Sequence, residues 1–164
     1  MRLKESGKVR AIGVSNFDTD MITLCQTKGT VDSVQPRYNA LQREPEATLL
    51  PFCVKHSIGV LAYSPIAQGL LTGKVDMERR FPEDDIRHAS PMFKAENRRA
   101  VLDMLGRVQP IADGYGITLG QLFTAWVTHQ PGITTALVGA RNGAQAQENA
   151  VGGSVNLRDA DVAT

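Results

Sequence analysis

Short apolar runs alternate along the chain with stretches of helical spacing. The apolar runs predict buried strands over residues 9–15, 31–36, 58–64 and 134–139. The helical spacing predicts helices over residues 18–28, 45–56, 95–115 and 118–129, and a last helix that begins near Gly143. Strands that are apolar on both faces and separated by helices are typical of parallel sheets covered by helices.

The order of these elements leaves two α/β architectures open. A doubly wound sheet and a piece of a (β/α)8 barrel both fit the alternation of strands and helices. A complete barrel of this kind needs about 250 residues, whereas the chain has 164. The third and fourth predicted strands are separated by residues 65–133, which hold a glycine-rich loop, an irregular charged segment and two predicted helices. The pattern alone does not choose between the two.

Four motifs at the predicted strand ends point to one family. They are GKVRAIGVSNF (residues 7–17), VQPRYNALQRE (34–44), LAYSPIAQGLLTGK (61–74) and VGARNGAQAQENA (138–150). In this order they resemble the aldo-keto reductases, and most closely the bacterial branch related to the potassium-channel β-subunits. The resemblance covers nearly the whole chain. It implies one partial barrel domain, the fifth to eighth βα units (the C-terminal half) of a (β/α)8 TIM barrel, truncated at the N-terminus and also at the C-terminus.

Polar and aromatic residues end the first three predicted strands. Short amide and hydroxyl side chains at the C-terminal rim of a barrel are well placed to hydrogen-bond a ligand. The resemblance implies that Ser15, Asn16 and Gln35 hold the carboxamide of a nicotinamide ring, and that Tyr63 stacks on the ring. Each could instead be an ordinary strand-end residue that forms hydrogen bonds with the backbone of a loop. The loops that follow these strands favour a role in cofactor binding.

The loop over residues 64–74 contains glycines, a proline and a terminal lysine. Glycine lets backbone N–H groups approach phosphates, and lysine supplies charge. The resemblance places this loop over the pyrophosphate of the cofactor, with Ser64, Pro65, Ile66, Gly69 and Lys74 as contact residues. Many surface loops share this composition. Arg87, in a segment of variable length, matches a further cofactor-contacting arginine of the family.

The last motif leads from a predicted strand into a helix. Gly139 and Arg141 precede that helix, and a helix N-terminus beside an arginine is an anion site. The resemblance places the 2′-phosphate of NADPH there. It also places the adenine near three residues of the helix, Gln145, Glu148 and Asn149, although these could be a solvated face. We therefore predict NADP(H) as the cofactor, in preference to NADH.

The catalytic groups of the family do not match any residue of the chain. The family uses a tyrosine as general acid with a lysine, an aspartate and a histidine, and the resemblance assigns all four to the first four strands of the barrel. Tyr38, Tyr63 and Tyr115 do not match the catalytic position. Two functions therefore stay open. The chain is either part of an NADPH-dependent carbonyl reductase, and inactive alone, or a non-catalytic module that binds a nucleotide or a partner.

Composition and charge limit the kinds of partner that the chain is expected to bind. The net charge of +1 argues against binding to nucleic acid or to an anionic membrane. No signal peptide or membrane-length apolar run is found, the two cysteines are expected to be buried free thiols, and the three histidines lack metal-ligand spacing. These features favour a cytoplasmic protein without a metal, acting in its complete form on a small carbonyl compound. The apolar outer strands of a half barrel also predict self-association.

Overall fold

The computed structural model describes residues 2–164, and within them four strands form one parallel sheet. The strands are β1 (Gly13–Ser15), β2 (Ser33–Gln35), β3 (Gly59–Tyr63) and β4 (Thr135–Leu137), and they lie side by side in chain order. Their pairing is parallel throughout. The predicted parallel α/β arrangement with sequential strands is confirmed.

The helices follow the predicted alternation. They are α1 (Arg2–Glu5), α2 (Thr19–Gln26), α3 (Leu49–His56), α4 (Ala95–Tyr115), α5 (Leu119–His129), α6 (Gly143–Gly152) and α7 (Asp159–Val162). The start of α2 is fixed by Asp18, whose side chain accepts a hydrogen bond from the Met21 N–H at 2.8 Å. In the part of the chain that the structure describes, no helix combines the length and apolar character needed to cross a membrane.

Several predicted bounds differ from the structure. The helix predicted from residue 45 begins as a 3-10 turn, Glu44–Glu46, and becomes an α-helix only at Leu49. The strands are shorter than the apolar runs. The prediction that all four are buried is wrong for β1 and β4, whose residues are exposed or half-buried, because each of these outer strands has a paired neighbour on one side only within the described residues. Cys53 is buried and Cys25 only half-buried, and both are free thiols.

Contacts divide the chain into two compact units. The first unit extends to Pro65 and includes Val127–Leu137, so it contains the whole sheet. Its core consists mainly of fully buried side chains from β2, β3, α2 and α3: Val34, Val60, Ala62, Ile22 and Cys53. The sheet positions the strand ends, because β1 and β2 run in register with Ser15 opposite Gln35.

The second unit comprises Ile66–Trp126 and Val138–Thr164. Its core includes the buried Leu70 and Leu71 of the glycine-rich loop, and Leu105 and Ala112 of α4. Gly152 of α6 packs closely on α5, since a Cβ at this position would lie 2.9 Å from the Gln121 carbonyl oxygen and from Thr124 Cβ. This unit therefore fixes α6 and the residues before it.

Candidate functional site

The strand ends of the first unit gather polar side chains at one edge of the sheet. Ser15 Oγ donates to the Gln35 carbonyl at 3.2 Å, and the Asn16 N–H donates to the same carbonyl at 3.0 Å. Asn16 has a left-handed φ of 57°, which asparagine adopts more readily than most residues. Its Oδ1 accepts a hydrogen bond from Tyr63 Oη at 2.9 Å. The strand-end residues predicted from the sequence thus lie together.

Arg37 joins this strand-end cluster and was not predicted from the sequence. It forms a parallel bridge with Tyr63, and its guanidinium carbon lies 5.7 Å from the centroid of the Tyr63 ring. Arg37 makes no ion pair with any residue that the structure describes. An exposed positive charge therefore stands beside the aromatic ring.

Ser64 and Pro65 end the first unit in a sharp turn. Ser64 adopts a left-handed φ of 58°, and its carbonyl accepts a hydrogen bond from Asn39 Nδ2 at 3.0 Å. Pro65 is fully buried. The turn is therefore held by packing and by a side-chain hydrogen bond.

The glycine-rich loop of the second unit is folded on itself. The Ile66 carbonyl accepts hydrogen bonds from the N–H of Gly69 at 3.0 Å and of Leu71 at 3.3 Å. Gly69 has a φ of 94°, a conformation that suits glycine. Because the Gly69 N–H is already bonded within the loop, it is not free to bind a phosphate in this conformation. Lys74 remains 74% exposed and lies 3.6 Å from Glu148 Oε1.

Around the start of α6 the predicted residues form a local network. Asn142 caps the helix by accepting a hydrogen bond from the Gln145 N–H at 2.9 Å. Gln145 Oε1 accepts from the Arg141 N–H at 2.8 Å, and Asn149 Nδ2 donates to the Gly139 carbonyl at 3.1 Å. The Arg141 side chain is exposed, and no ion pair of it is found among residues 2–164. Its charge is available beside the helix N-terminus.

The Arg87 side chain contacts neighbouring residues of its own segment. Its guanidinium makes two hydrogen bonds to Asp85, at 2.9 and 2.5 Å, and lies 4.4 Å from the centroid of the Phe81 ring. These hydrogen bonds raise the pKa of Arg87 and lower that of Asp85 to about 2. The pair is thus fully ionised near neutral pH, and the charge of Arg87 is compensated. No hydrogen bond or ion pair of Arg87 with the other predicted site residues is found in the described part of the chain.

Comparisons with known proteins identify the family. The family model described as "Aldo/keto reductase family" matches residues 1–164. The chain belongs to the aldo/keto reductase family. This confirms the family predicted from the four motifs.

Aldo/keto reductases from several sources resemble the chain. It is 39% identical over 159 residues to the NADH-specific methylglyoxal reductase of Escherichia coli. The aligned region covers 97% of the chain and 48% of that reductase. It is 40% identical over 120 residues to a probable voltage-gated potassium channel subunit beta of Arabidopsis thaliana, covering 70% of the chain and 36% of that protein. The solved structure of a glycerol dehydrogenase from Gluconobacter oxydans superposes with a TM-score of 0.91 at 32% identity, covering 98% of the chain and 49% of that structure.

The chain spans about half the length of the aldo/keto reductases that it matches, 48% of the Escherichia coli reductase and 49% of the solved Gluconobacter structure. Both the strand-end cluster and the network at α6 lie within this matched half.

Proposed function

We propose that this chain is the NADPH-binding half of an aldo-keto reductase. It forms the fifth to eighth βα units of the (β/α)8 barrel, as a single partial domain, and the complete protein transfers hydride between NADP(H) and an aldehyde or ketone in the cytoplasm. The observation that supports this most directly is the strand-end cluster, where Asn16 and Tyr63 meet at 2.9 Å although they lie 47 residues apart in sequence.

The strand-end cluster fits the nicotinamide end of the cofactor. Ser15, Asn16 and Gln35 are exposed and present hydroxyl and carboxamide groups, which complement the donor and acceptor of a nicotinamide carboxamide. Tyr63 is half-buried beside them and offers a ring for stacking. When bound, NADPH supplies the hydride, and these residues orient the ring that carries it.

The second unit fits the phosphates and the adenosine. Arg141 lies just before α6, where the backbone N–H groups of the first turn also favour an anion. A guanidinium binds a phosphate with two charge-assisted hydrogen bonds, which a ribose hydroxyl cannot replace. We assign the 2′-phosphate to Arg141 and the adenine to Gln145, Glu148 and Asn149. We assign the pyrophosphate to the loop residues Ser64, Pro65, Ile66, Gly69 and Lys74, which requires the loop to release its internal hydrogen bonds. Arg87 is assigned a further contact with the cofactor.

The proposed preference for NADPH over NADH is tested by removing the charge of Arg141. The Escherichia coli relative is NADH-specific by name, so relatives of this chain do not share one preference. Removal of a charge-assisted hydrogen bond costs about 1.5–3 kcal/mol. We therefore expect Arg141→Ala to lose about tenfold to a hundredfold of the NADPH preference.

The measurement is a pair of fluorescence titrations with NADPH and NADH. They are made on the full chain and on the chain joined to the N-terminal half of a related reductase. Arg107→Ala is the control, because Arg107 is also exposed and lies on α4, away from the assigned residues in sequence. If Arg141→Ala keeps the full preference, the 2′-phosphate has another partner, with Lys74 and Arg87 the next candidates.

A second function is favoured by the channel-related relative. The 40% identity to a probable channel β-subunit over 120 residues supports a module that binds a nucleotide or a protein partner without turnover. The joined protein distinguishes the two functions. Reduction of an aldehyde supports the reductase, whereas NADPH binding with no turnover supports the module.

A further inference from the structure

Asn39 is a fully buried polar residue that lies outside the residues assigned to the cofactor. Its Nδ2 donates to Gln42 Oε1 at 3.1 Å and to the Ser64 carbonyl at 3.0 Å. Its Oδ1 accepts from the Leu41 N–H at 3.0 Å. The carboxamide is therefore satisfied without a ligand, as a buried amide must be, and its role depends on the groups that it holds.

The bond to Ser64 lies where backbone pairing ends. The Tyr63 N–H donates to the Pro36 carbonyl at 3.0 Å, and the Tyr38 N–H donates to the Tyr63 carbonyl at 3.2 Å. Ser64 then turns away with a φ of 58°, which is unfavourable for a residue with a side chain. The Ser64 carbonyl follows the Tyr63 carbonyl directly along the chain. It accepts its hydrogen bond from the Asn39 side chain, whereas the Tyr63 carbonyl accepts from the backbone N–H of Tyr38.

Asn39 is itself held firmly. Its backbone exchanges two hydrogen bonds with Gln42, at 3.3 and 3.0 Å. The preceding Tyr38 is fully buried, and its hydroxyl donates to Glu46 at 2.5 Å. Glu46 in turn accepts two hydrogen bonds from Arg43, at 2.8 and 3.1 Å. The segment that presents the Asn39 amide is thus fixed at both ends.

We propose that Asn39 is a positioning residue for the nicotinamide end of the cofactor site. By holding the Ser64 carbonyl, it fixes the end of β3 and the position of the Tyr63 ring. This inference rests on the proposed function, in which Tyr63 and Ser64 contact the cofactor. Asn39 acts through Ser64 and makes no contact with the cofactor itself.

The test variant is Asn39→Ser, which removes both donors without burying a charge. Tyr38→Phe is the matched control, because it removes a buried hydrogen bond from the same segment but leaves the Ser64 bond intact. Hydrogen exchange of residues 60–66 is measured in the full chain. Binding is measured with NADPH and with adenosine 2′,5′-bisphosphate, which has no nicotinamide.

Asn39→Ser is expected to speed exchange in residues 60–66 and to weaken NADPH binding about tenfold, the effect of roughly one lost buried hydrogen bond. Its affinity for the bisphosphate is expected to stay unchanged. Tyr38→Phe is expected to change neither exchange in residues 60–66 nor the ratio of the two affinities. This pattern would support positioning, because a general loss of structure would weaken both ligands.

An equal loss for both ligands, or unchanged exchange in residues 60–66, would overturn the proposal. The same titrations are made on the chain joined to the N-terminal half of a related reductase. If neither protein binds either ligand, the proposed function fails, and the exchange comparison alone decides whether Asn39 fixes the strand end. Should Asn39→Ser not fold, Asn39→His keeps one ring donor and is measured in the same way. A smaller loss confined to NADPH is then expected.

Discussion

At the scale of single residues, most polar side chains assigned to the cofactor already have a partner within the protein. Asn16 binds Tyr63, and Lys74 pairs with Glu148 at 3.6 Å. A ligand must replace these contacts, so the net gain from each is small. Arg37 and Arg141 differ, because both are exposed and no ion pair of either is found within residues 2–164. We expect these two charges to have the largest influence on the bound nucleotide.

Arg37→Gln tests one of these charges. The oxidised nicotinamide ring is positively charged and the reduced ring is neutral, so a cation near the Tyr63 ring, here 5.7 Å from its centroid, disfavours the oxidised form. Across about 10 Å near the protein surface this effect amounts to roughly 1 kcal/mol. Loss of the charge should therefore tighten NADP+ relative to NADPH about two- to fivefold.

The measurement for Arg37→Gln is the ratio of the two dissociation constants, determined at low and at high salt. Screening should reduce the difference between variant and parent at high salt. A ratio that is the same in both proteins at low salt would show that Arg37 does not face the ring in the complex.

Sequence predicted the strand-end residues but missed their neighbours. Ser15, Asn16, Gln35 and Tyr63 stand at recognisable strand ends, and the parallel sheet brings them to one edge. Arg37 becomes relevant only through its bridge to Tyr63, and Asn39 only through a hydrogen bond to a residue 25 positions away. Such pairings depend on strand register, which the hydrophobic pattern of a single strand does not specify.

At the scale of elements, helices were predicted more accurately than strands. The predicted bounds of α4 agree with the structure at Ala95–Tyr115, although Pro110 lies inside it. The long amphipathic pattern and Gly116, which ends the helix with a φ of 65°, outweigh that proline. The first apolar run predicted a strand from residue 9, but β1 pairs only over Gly13–Ser15. Residues 9–12 are neither part of β1 nor buried, because pairing and burial both require neighbouring elements that the hydrophobic pattern of one segment does not specify.

The contact between α5 and α6 provides a prediction about stability. A methyl group at Gly152 would lie 2.9 Å from the Gln121 carbonyl oxygen and from Thr124 Cβ, and both belong to α5. The helices would have to move apart, so Gly152→Ala should destabilise the protein by about 1–3 kcal/mol. Since α6 carries Gln145, Glu148 and Asn149, adenosine binding should weaken as well.

Gly106→Ala is the control for this helix contact. Gly106 lies within α4, and a Cβ there would have no atom within 4 Å. Alanine should therefore stabilise the helix by about 0.5–1 kcal/mol. Chemical denaturation of both variants measures the effect, and a neutral or stabilising Gly152→Ala would show that α6 is not packed as described.

At the scale of the whole molecule, the chain is expected to be inactive alone. The family reaction needs a general acid, and the motifs predict that the catalytic tyrosine belongs to the half of the barrel that precedes the four matched motifs. Absence of general acid catalysis costs about 10²–10⁴ in rate. NADPH oxidation with a generic aldehyde should therefore be slower by at least that factor than in the chain joined to the N-terminal half of a relative. A rate within about tenfold of the joined protein would refute the prediction.

The ends of the sheet predict how the chain associates. In the order β1-β2-β3-β4, the two outer strands each have a paired neighbour on one side only, within the described residues. Leu137 of β4 is also 38% exposed. Unpaired edges bind other strands, and the occupant that we propose is a second copy, with β4 of one chain pairing with β1 of the other.

Light scattering at roughly 10–100 µM should show dimers or larger species. Leu137→Lys places a charge on this edge and should shift the population toward monomer. A parent chain that is monomeric over this range would contradict the edge-pairing model.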